Sequence, residues 1–267
     1  QNGYTDYYYE PFTETLRKYY GSDDAFGLWK EGINNRVFVP QFHGREHLNV
    51  KAWMRALRSG NERMLIAFSN EMWGISTMQD SDIRLEIQAA FDYLVPDDLR
   101  YHEDVITSGL ALFADLFGYR ATYFVPPNGP ISTKLDSVCL QNGIKYLSVA
   151  KLQNEPLGMN QSGRRLNWLG RKRASGLYCI TRNCQFEPCK PGRDWVGNCL
   201  REINIAFRWH KPAVISTHRV NYIGSLEENN RRQGLVQLKS LLDRIVKKWP
   251  DIHFLTSSEL GDFIINE

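Results

Sequence analysis

Short apolar runs alternate with longer amphipathic stretches along most of the chain. The short runs are typical of buried strands. The longer stretches repeat their apolar positions every three or four residues, as a helix with one buried face does. The runs predicted as strands are 38–42, 63–68, 121–125, 144–149, 212–217 and 252–255. The stretches predicted as helices are 11–20, 23–33, 50–58, 82–94, 97–117, 132–141, 195–209, 228–249 and 257–265.

This alternation of strands and helices is typical of a parallel sheet covered by helices. No repeat, linker or low-complexity tract divides the sequence, so we predict a single α/β domain over residues 1–267. The expected architecture is a distorted or incomplete (β/α) barrel. Locally, Asn49 is predicted to cap the helix that follows it. Residues 151–163 are predicted to form a polar loop, and 164–169 with 177–181 a hairpin.

Three of the predicted strands end in residues that can carry chemistry. They are followed by His43-Gly44-Arg45-Glu46-His47, by Pro126-Pro127-Asn128-Gly129 and by Ser216-Thr217-His218-Arg219. The carboxyl ends of parallel strands meet at one face, so we expect His218 to converge with His43 and His47 on a shared pocket. Two histidines four residues apart lie on one side of a helical turn and can bind a metal ion there. The alternatives, two unrelated histidines and a structural His218, remain open.

Charge and aromatic content narrow the classes of function. The 33 basic and 30 acidic residues give a net charge of +3, which is too balanced to indicate nucleic acid or an anionic membrane as a partner. No apolar stretch of the sequence is long enough to span a bilayer. The 7 Trp, 13 Tyr and 13 Phe indicate either core packing or carbohydrate stacking in a cleft. The candidates for stacking are Trp73, Trp168, Trp195 and Tyr222.

The cysteines bear on the cellular compartment. Cys139 stands alone and is predicted to be a buried thiol. The other four, Cys179, Cys184, Cys189 and Cys199, cluster around a loop that contains Pro and Gly, and we expect one or two disulfides there. Cys184–Cys199 is the favoured pair, although four cysteines allow three pairings. The alternative is free thiols in a cytosolic protein.

Disulfides and a first residue other than methionine indicate a processed, exported protein. The expected location is the periplasm or the outside of a bacterial cell, with the cytoplasm second. A trimmed chain would give the same start.

The order of the strand-end motifs resembles the polysaccharide deacetylase superfamily. His43-Gly44-Arg45-Glu46-His47 is similar to its His-[Ser/Thr]-x-x-His motif, with glycine at the hydroxyl position. Phe124–Gly129 resembles the motif with a central proline, Asp194-Trp195 the Asp-Trp motif, and Ile215–His218 the final motif. The resemblance spans about residues 24–265. The run before His43 looks like members from carbohydrate-degrading bacteria, so the chain resembles a divergent bacterial branch.

The resemblance implies a metal-dependent deacetylase that removes N- or O-acetyl groups from polysaccharides or oligosaccharides with a metal-activated water. His43 and His47 would bind the metal ion, with zinc the first choice and cobalt or nickel the alternatives. His218 would be the catalytic acid and Asp194 would tune it, while backbone amides near Asn128 would stabilise the oxyanion. The residues assigned to substrate or oxyanion contacts are Pro127, Asn128, Trp195 and Arg219.

The chain departs from the family at its first motif. That motif, Thr-Phe-Asp-Asp, supplies the catalytic base and the third metal ligand on a strand upstream of the histidines, and no such strand is predicted here. Asp6 is the only early carboxylate beside a strand-like run, so the base is left unassigned. The arginine that would orient this base is replaced at Phe124-Val125. Two alternatives follow: a chain that lacks its first strand, and a catalytically impaired relative that binds glycans.

Overall fold

The computed structural model describes residues 8, 10–20, 24–73, 75 and 86–266. Asp6, the candidate base, therefore lies outside the described residues. The chain forms two compact units, each with its own core. Unit 1 comprises Gln1–Ile180 and Thr256–Glu267, and unit 2 comprises Thr181–Leu255. That the sequence forms one domain stays a prediction.

Helices account for most of the regular structure. In chain order they are α1 (Phe12–Tyr20), α2 (Asp24–Asn34), α3 (Val50–Arg58), α4 (Glu62–Ser69), α5 (Pro96–Phe117), α6 (Asp136–Gln141), α7 (Trp195–Arg208), α8 (Glu228–Lys248) and α9 (Ser257–Asn266), with 3₁₀ turns at Thr133–Leu135 and Arg219–Tyr222. The strands are β1 (Tyr123–Phe124), β2 (Tyr146–Ser148), β3 (Leu152–Gly158), β4 (Gln161–Leu166), β5 (Tyr178–Ile180), β6 (Cys184–Gln185) and β7 (Ile215–Ser216). Among the described residues, none of the helices combines the length and apolar character needed to cross a membrane.

Parallel pairing joins β1 to β2, β2 to β5 and β6 to β7. In unit 1 the sheet order is β1-β2-β5, with Tyr123 opposite Tyr146 and Leu147 opposite Cys179. Phe42 forms a further parallel bridge to Phe124. In unit 2, β6 pairs in parallel with β7, and α7 connects the two strands along the chain. These pairings confirm an α/β fold with parallel strands, and the described residues contain no closed barrel.

An aromatic core supports the sheet of unit 1. Phe42, Phe91 and Phe124 are completely or almost completely buried, and the ring of Phe124 lies 4.9 Å from that of Phe42 and 5.3 Å from that of Phe91, measured between centroids. Helix α5 approaches this core at Gly109, where an added β-carbon would lie 2.9 Å from the Cβ of Arg45. A side chain at position 109 would therefore push α5 away from the segment that carries His43 and His47.

One predicted strand, 63–68, is a helix instead. Asn61 caps α4, because its Oδ1 accepts a hydrogen bond from the backbone N–H of Met64 at 3.0 Å. Met64 and Ala67, three residues apart, are buried, whereas Ile66 and Phe68 are largely exposed. Because the apolar residues of 63–68 form a continuous run, they show no helical period. The cap at Asn61 was the sequence signal that favours a helix over a strand here.

The prediction of a polar loop at 151–163 is also wrong. Strands β3 and β4 form an antiparallel hairpin whose turn, Met159-Asn160, has positive φ at both residues. Such turns match the twist of the strands but usually contain glycine, so this one gave no signal. The predicted pairing of 164–169 with 177–181 does not form, because residues 161–166 pair with β3 as β4. The free edge of β5 instead makes a single antiparallel bridge, from Tyr178 to Lys172.

Two further predicted elements are absent from the described residues. Residues 86–94 contain no helix but two turns, closed by hydrogen bonds from Ala89 N–H to the carbonyl of Glu86 and from Asp92 N–H to that of Ala89. Most apolar side chains of this segment are buried. Residues 82–85 lie outside the described part. The predicted strand at 252–255 is irregular in the structure.

The predicted disulfide between Cys184 and Cys199 is absent. All five cysteines lie in the described part of the chain, and the structure joins none of them. Cys184 and Cys199 belong to the apolar core of unit 2. Burial raises the pKa of the Cys199 thiol to about 12, which disfavours the thiolate that disulfide formation requires. Cys139 is buried, as predicted.

Asn49 holds the 86–92 segment against α3 and gives a test of this arrangement. Its Oδ1 accepts from Ala52 N–H at 3.1 Å, which confirms the predicted cap, and its Nδ2 donates to the carbonyls of Ala89 and Asp92 at 3.0 and 2.8 Å. We expect Asn49→Ala to lower the free energy of unfolding by about 3 kcal/mol, since two buried carbonyls lose their donor. Asn61→Ala, which removes the α4 cap, should cost only about 1 kcal/mol in the same urea titration. Equal losses in the two variants would contradict this role of Asn49.

Candidate functional site

His43 and His47 lie side by side in unit 1. Their ring centroids are 5.2 Å apart, and Trp73, which is 43% exposed, lies 6.4 Å from the ring of His47. Nδ1 of His43 is 2.7 Å from the carbonyl oxygen of Val125, so in the neutral ring Nδ1 carries the proton and Nε2 the lone pair. The two rings are adjacent, but residues 43–47 form bends and not the helical turn on which the spacing prediction rested.

The turn between the histidines is fixed by close packing. Gly44 has φ of +101°, and an added β-carbon there would lie 3.3 Å from the ring of Phe91 and 3.4 Å from Pro127. Glycine is therefore required by both the backbone conformation and the space. This contact also brings the histidine turn against the predicted substrate turn that contains Pro127.

The turn after β1 lies directly beside His43. Val125 N–H donates to the carbonyl of Phe42 at 2.9 Å, so the two chain segments leave the sheet next to each other. Pro127 is buried, whereas Asn128 is exposed and has φ of +53°, a left-handed conformation that asparagine tolerates better than most residues. The structure thus brings together His43, Pro127 and Asn128, as expected for strand ends at one edge.

Two observations show that the pair fits a metal ion. The hydrogen bond to Val125 leaves His43 in the tautomer whose Nε2 can bind a metal, and a carbonyl is a usual outer-shell partner of such a ligand. Nδ1 of His47 is buried and has no hydrogen-bond partner in the described part of the chain. Nδ1 of His102 also lacks one, but that ring packs 5.5 Å from Phe91, and burial lowers its pKa to about 4. His102 is thus a neutral core residue.

The described residues supply no third ligand. They contain no group of three His, Cys, Asp or Glu side chains that could hold a metal ion. Glu46, which lies between the two histidines in sequence, is engaged by Arg45 at 2.6 and 2.8 Å and by the hydroxyl of Tyr101 at 3.0 Å. Asp6, the candidate for the base, lies outside the described ranges.

A polar cleft adjoins the substrate turn. It has a volume of about 530 Å³ and takes in Asp92 and Asn128. Burial raises the pKa of Asp92 to about 6, although the hydrogen bond from Tyr93 N–H favours the ionised carboxylate and lowers the pKa. Asp92 was not among the predicted site residues. No sequence signal marked it, because its segment was assigned to a helix.

His218 belongs to unit 2, where its partner is Glu187. Nδ1 of His218 lies 2.6 Å from Oε1 of Glu187, and the other carboxylate oxygen accepts from Asn221 Nδ2 at 2.8 Å. The side chain of Glu187 is 5% exposed, whereas that of His218 is 66% exposed. Burial by itself raises the pKa of Glu187, but the hydrogen bonds from Asn221 and His218 outweigh it and hold the pKa below its ordinary value. Glu187 thereby orients the imidazole and holds its proton on Nδ1.

Two predicted residues of unit 2 have structural roles. The carboxylate of Asp194 caps α7 by accepting from Gly197 N–H at 2.8 Å, and the carboxylate that contacts His218 is Glu187. Trp195 is 8% exposed, lies in the core and donates its indole N–H to the carbonyl of Lys190 at 2.7 Å. Trp195 is thus too buried to stack on a ligand, which corrects its assignment to substrate contact. Arg219 is exposed next to His218, and its role stays a prediction.

Sequence reasoning missed Glu187 because strand β6 is only two residues long. Glu187 is the second residue after β6, and His218 is the second residue after β7, the strand that pairs with β6. A carboxylate soon after a short apolar segment was the available signal. The convergence of His218 with His43 and His47 stays a prediction.

Comparison of the chain with protein-family models gives no match, and comparison with curated protein sequences gives none either.

The pairing of Glu187 with His218 predicts a specific pH dependence. The pKa of Glu187 is lower in the folded protein than its ordinary value of 4.5, so the ionised group stabilises the fold above that pH. This contribution is lost as the pH falls through the folded-state pKa. We expect Glu187→Gln to lower the free energy of unfolding by about 2 kcal/mol at neutral pH, and the deficit to vanish in acid, where glutamine resembles the protonated acid.

Urea titrations across the acid range measure this difference. Asp243→Asn, which breaks the exposed pair with Lys239 on α8, is the control and should change stability little at any pH. A deficit of Glu187→Gln that is independent of pH would contradict the assigned pairing.

Proposed function

We propose that the protein is a metal-dependent hydrolase that removes acetyl groups from polysaccharides or oligosaccharides. The observation that carries the proposal is the histidine pair: two imidazoles 5.2 Å apart, one oriented by a backbone carbonyl and the other with a buried nitrogen that has no partner in the described residues. The resemblance to polysaccharide deacetylases supplies the substrate class. In this proposal the parallel strands of unit 1 are part of a distorted (β/α) barrel.

The proposed reaction gives a role to the three histidines and to the backbone near Asn128. His43 and His47 hold the divalent ion, zinc first and cobalt or nickel as alternatives, and the bound ion would lower the pKa of water and polarise the acetyl carbonyl. Backbone N–H groups near Asn128 would donate to an oxyanion in the adjoining cleft. His218, oriented by Glu187, would give a proton to the leaving amine or alcohol. The base is left unassigned.

A second function is favoured by one observation. Glu46, between the two histidines in sequence, is engaged by Arg45 and Tyr101, and the described residues contain no group of three potential metal ligands, which suits a relative that binds glycans without hydrolysing them. Export to the periplasm or cell exterior stays a prediction, and the absence of a disulfide removes the cysteine argument for it.

The metal assignment predicts loss of zinc binding when either imidazole is removed. We expect His43→Ala and His47→Ala each to weaken zinc binding by at least about tenfold, because loss of an outer-shell partner alone typically costs about 10–100-fold. Zinc retained after dialysis, measured by elemental analysis, gives the result. His253→Ala, which removes an exposed histidine of unit 2, is the matched control and should retain zinc. Unchanged zinc content in both site variants would exclude the pair as ligands.

The acid assignment predicts loss of turnover without loss of metal. We expect His218→Ala to slow acetate release from N- and O-acetylated oligosaccharides by about 10²–10⁴-fold, the usual contribution of a general acid. Zinc content should stay at the wild-type level. His210→Ala, another exposed histidine of unit 2, should release acetate normally. A wild-type protein that binds zinc yet releases no acetate from any member of the panel would favour the glycan-binding alternative.

A further inference from the structure

The β3–β4 hairpin borders two cavities. The cleft beside Asn128, with a volume of about 530 Å³, is also lined by Glu86, Asp92, Asn154, Gln161 and Ser162. A second cavity of about 400 Å³ is lined by Glu155, Arg164, Arg165, Leu166, Trp168 and Arg171. Asn154 of the first is paired across the hairpin with Arg164 of the second. We call the side of the hairpin that borders these two cavities the hairpin groove.

The second cavity combines an aromatic face with positive charge. Trp168 is 57% exposed, and the guanidinium carbon of Arg171 lies 5.0 Å from its ring centroid. Arg165 is matched by Glu155, at 2.6 and 2.8 Å. Arg164 has no carboxylate within ion-pair distance in the described part of the chain. The cavity therefore offers two guanidinium groups that Glu155 does not neutralise.

Buried polar contacts hold this surface rigid. Asn167, next to Trp168, is 2% exposed and donates to the carbonyl of Ala150 at 3.1 Å and to Gln153 at 3.2 Å. Gln153 in turn accepts from Arg173 at 3.1 Å. Trp168 is thus displayed from a fixed backbone, so little ordering free energy is lost when a ligand stacks on it.

The first cavity has the opposite character. Glu86 and Asp92 are its charged groups, its other polar groups are amides and a hydroxyl, and the described lining contains no cation. Such side chains suit the hydroxyl groups of sugars and disfavour anions. Asn128 follows Pro127, which packs against Gly44 of the histidine turn. The first cavity therefore lies at the end of the hairpin groove next to the turn at Asn128.

We propose that the hairpin groove binds a carboxylate-bearing oligosaccharide, with one ring stacked on Trp168 and its carboxylate held by Arg164 and Arg171. Planar guanidinium groups match the geometry of a carboxylate, and an aromatic face matches the apolar face of a sugar ring. The next sugar lies over Asn154 and Ser162, toward the polar cleft. The choice of a carbohydrate rests on the proposed function, whereas the preference for an acidic one rests on the charges of the groove.

Calorimetric titration without added metal tests the proposal. The two probes are a tetrasaccharide of alternating glucuronic acid and N-acetylglucosamine, and a neutral tetrasaccharide of N-acetylglucosamine. We expect the acidic probe to bind at least about tenfold more tightly. Trp168→Ala should weaken both probes about tenfold, Trp168→Phe should retain most of the affinity, and Arg164→Ala with Arg171→Ala should abolish the preference. Trp209→Ala, which removes a tryptophan 74% exposed in unit 2, is the matched control.

Several outcomes would overturn the proposal. Equal affinity for the two probes, or a preference that survives loss of both arginines, excludes recognition of the carboxylate. Unchanged binding by both Trp168 variants excludes the groove. Displacement by inorganic phosphate alone, with no effect of Trp168→Ala, indicates a simple anion site, and a dimer that Trp168→Ala dissociates indicates a second copy as the occupant. Binding without acetate release overturns the proposed function only, whereas acetate release without binding in the groove overturns this inference only.

Discussion

The candidate site depends on one parallel contact between two short backbone segments. Phe42 and Phe124 bridge in parallel, and Val125 both donates its N–H to Phe42 and accepts a hydrogen bond from the ring of His43. Burial of the two phenylalanine rings stabilises the contact. The histidine turn follows Phe42 and the proline turn follows Phe124. This bridge therefore fixes the positions of both turns.

Glycine and asparagine make that arrangement possible. Gly44 and Gly109 leave the space into which Phe91, Pro127 and Arg45 pack. Asn49 donates to two carbonyls of the segment before α5, which adds to the turn hydrogen bonds within that segment. The segment then places Asp92 in the polar cleft, where burial favours its protonated form. The part of unit 1 that packs closely around Gly44 therefore also shields Asp92 from water.

A buried polar network stabilises the other side of the cleft. Arg173 pairs with Asp136 at 2.7 Å, and both side chains are almost fully buried. Burial raises the pKa of Asp136, and the positive charge of Arg173 opposes that shift. Removal of one partner would leave a buried charge without compensation, which is usually far more costly than replacement of both. This network fixes the inner face of the hairpin and leaves its outer face, with Trp168, available to a ligand.

The sequence alone determined the features that depend on local signals. Parallel α/β character followed from short apolar runs between amphipathic stretches, and the cap at Asn49 followed from residue type and position. The spacing of His43 and His47 predicted neighbouring imidazoles, since four residues make about one helical turn, although residues 43–47 form bends and not that turn. Non-local pairing could not be predicted in the same way. The β3–β4 hairpin has a turn without glycine, and β6 is too short to show a period.

Only the tertiary structure decided which carboxylate serves which purpose. Asp194 and Glu187 lie seven residues apart in sequence, yet one caps a helix while the other, buried beside Asn221, holds His218. Likewise Trp195 and Trp168 are the same residue type, but one fills a core and the other is exposed on a hairpin. The physical reason is that hydrogen-bond partners and solvent exposure are set by segments distant in the chain, and composition and periodicity carry no information about them.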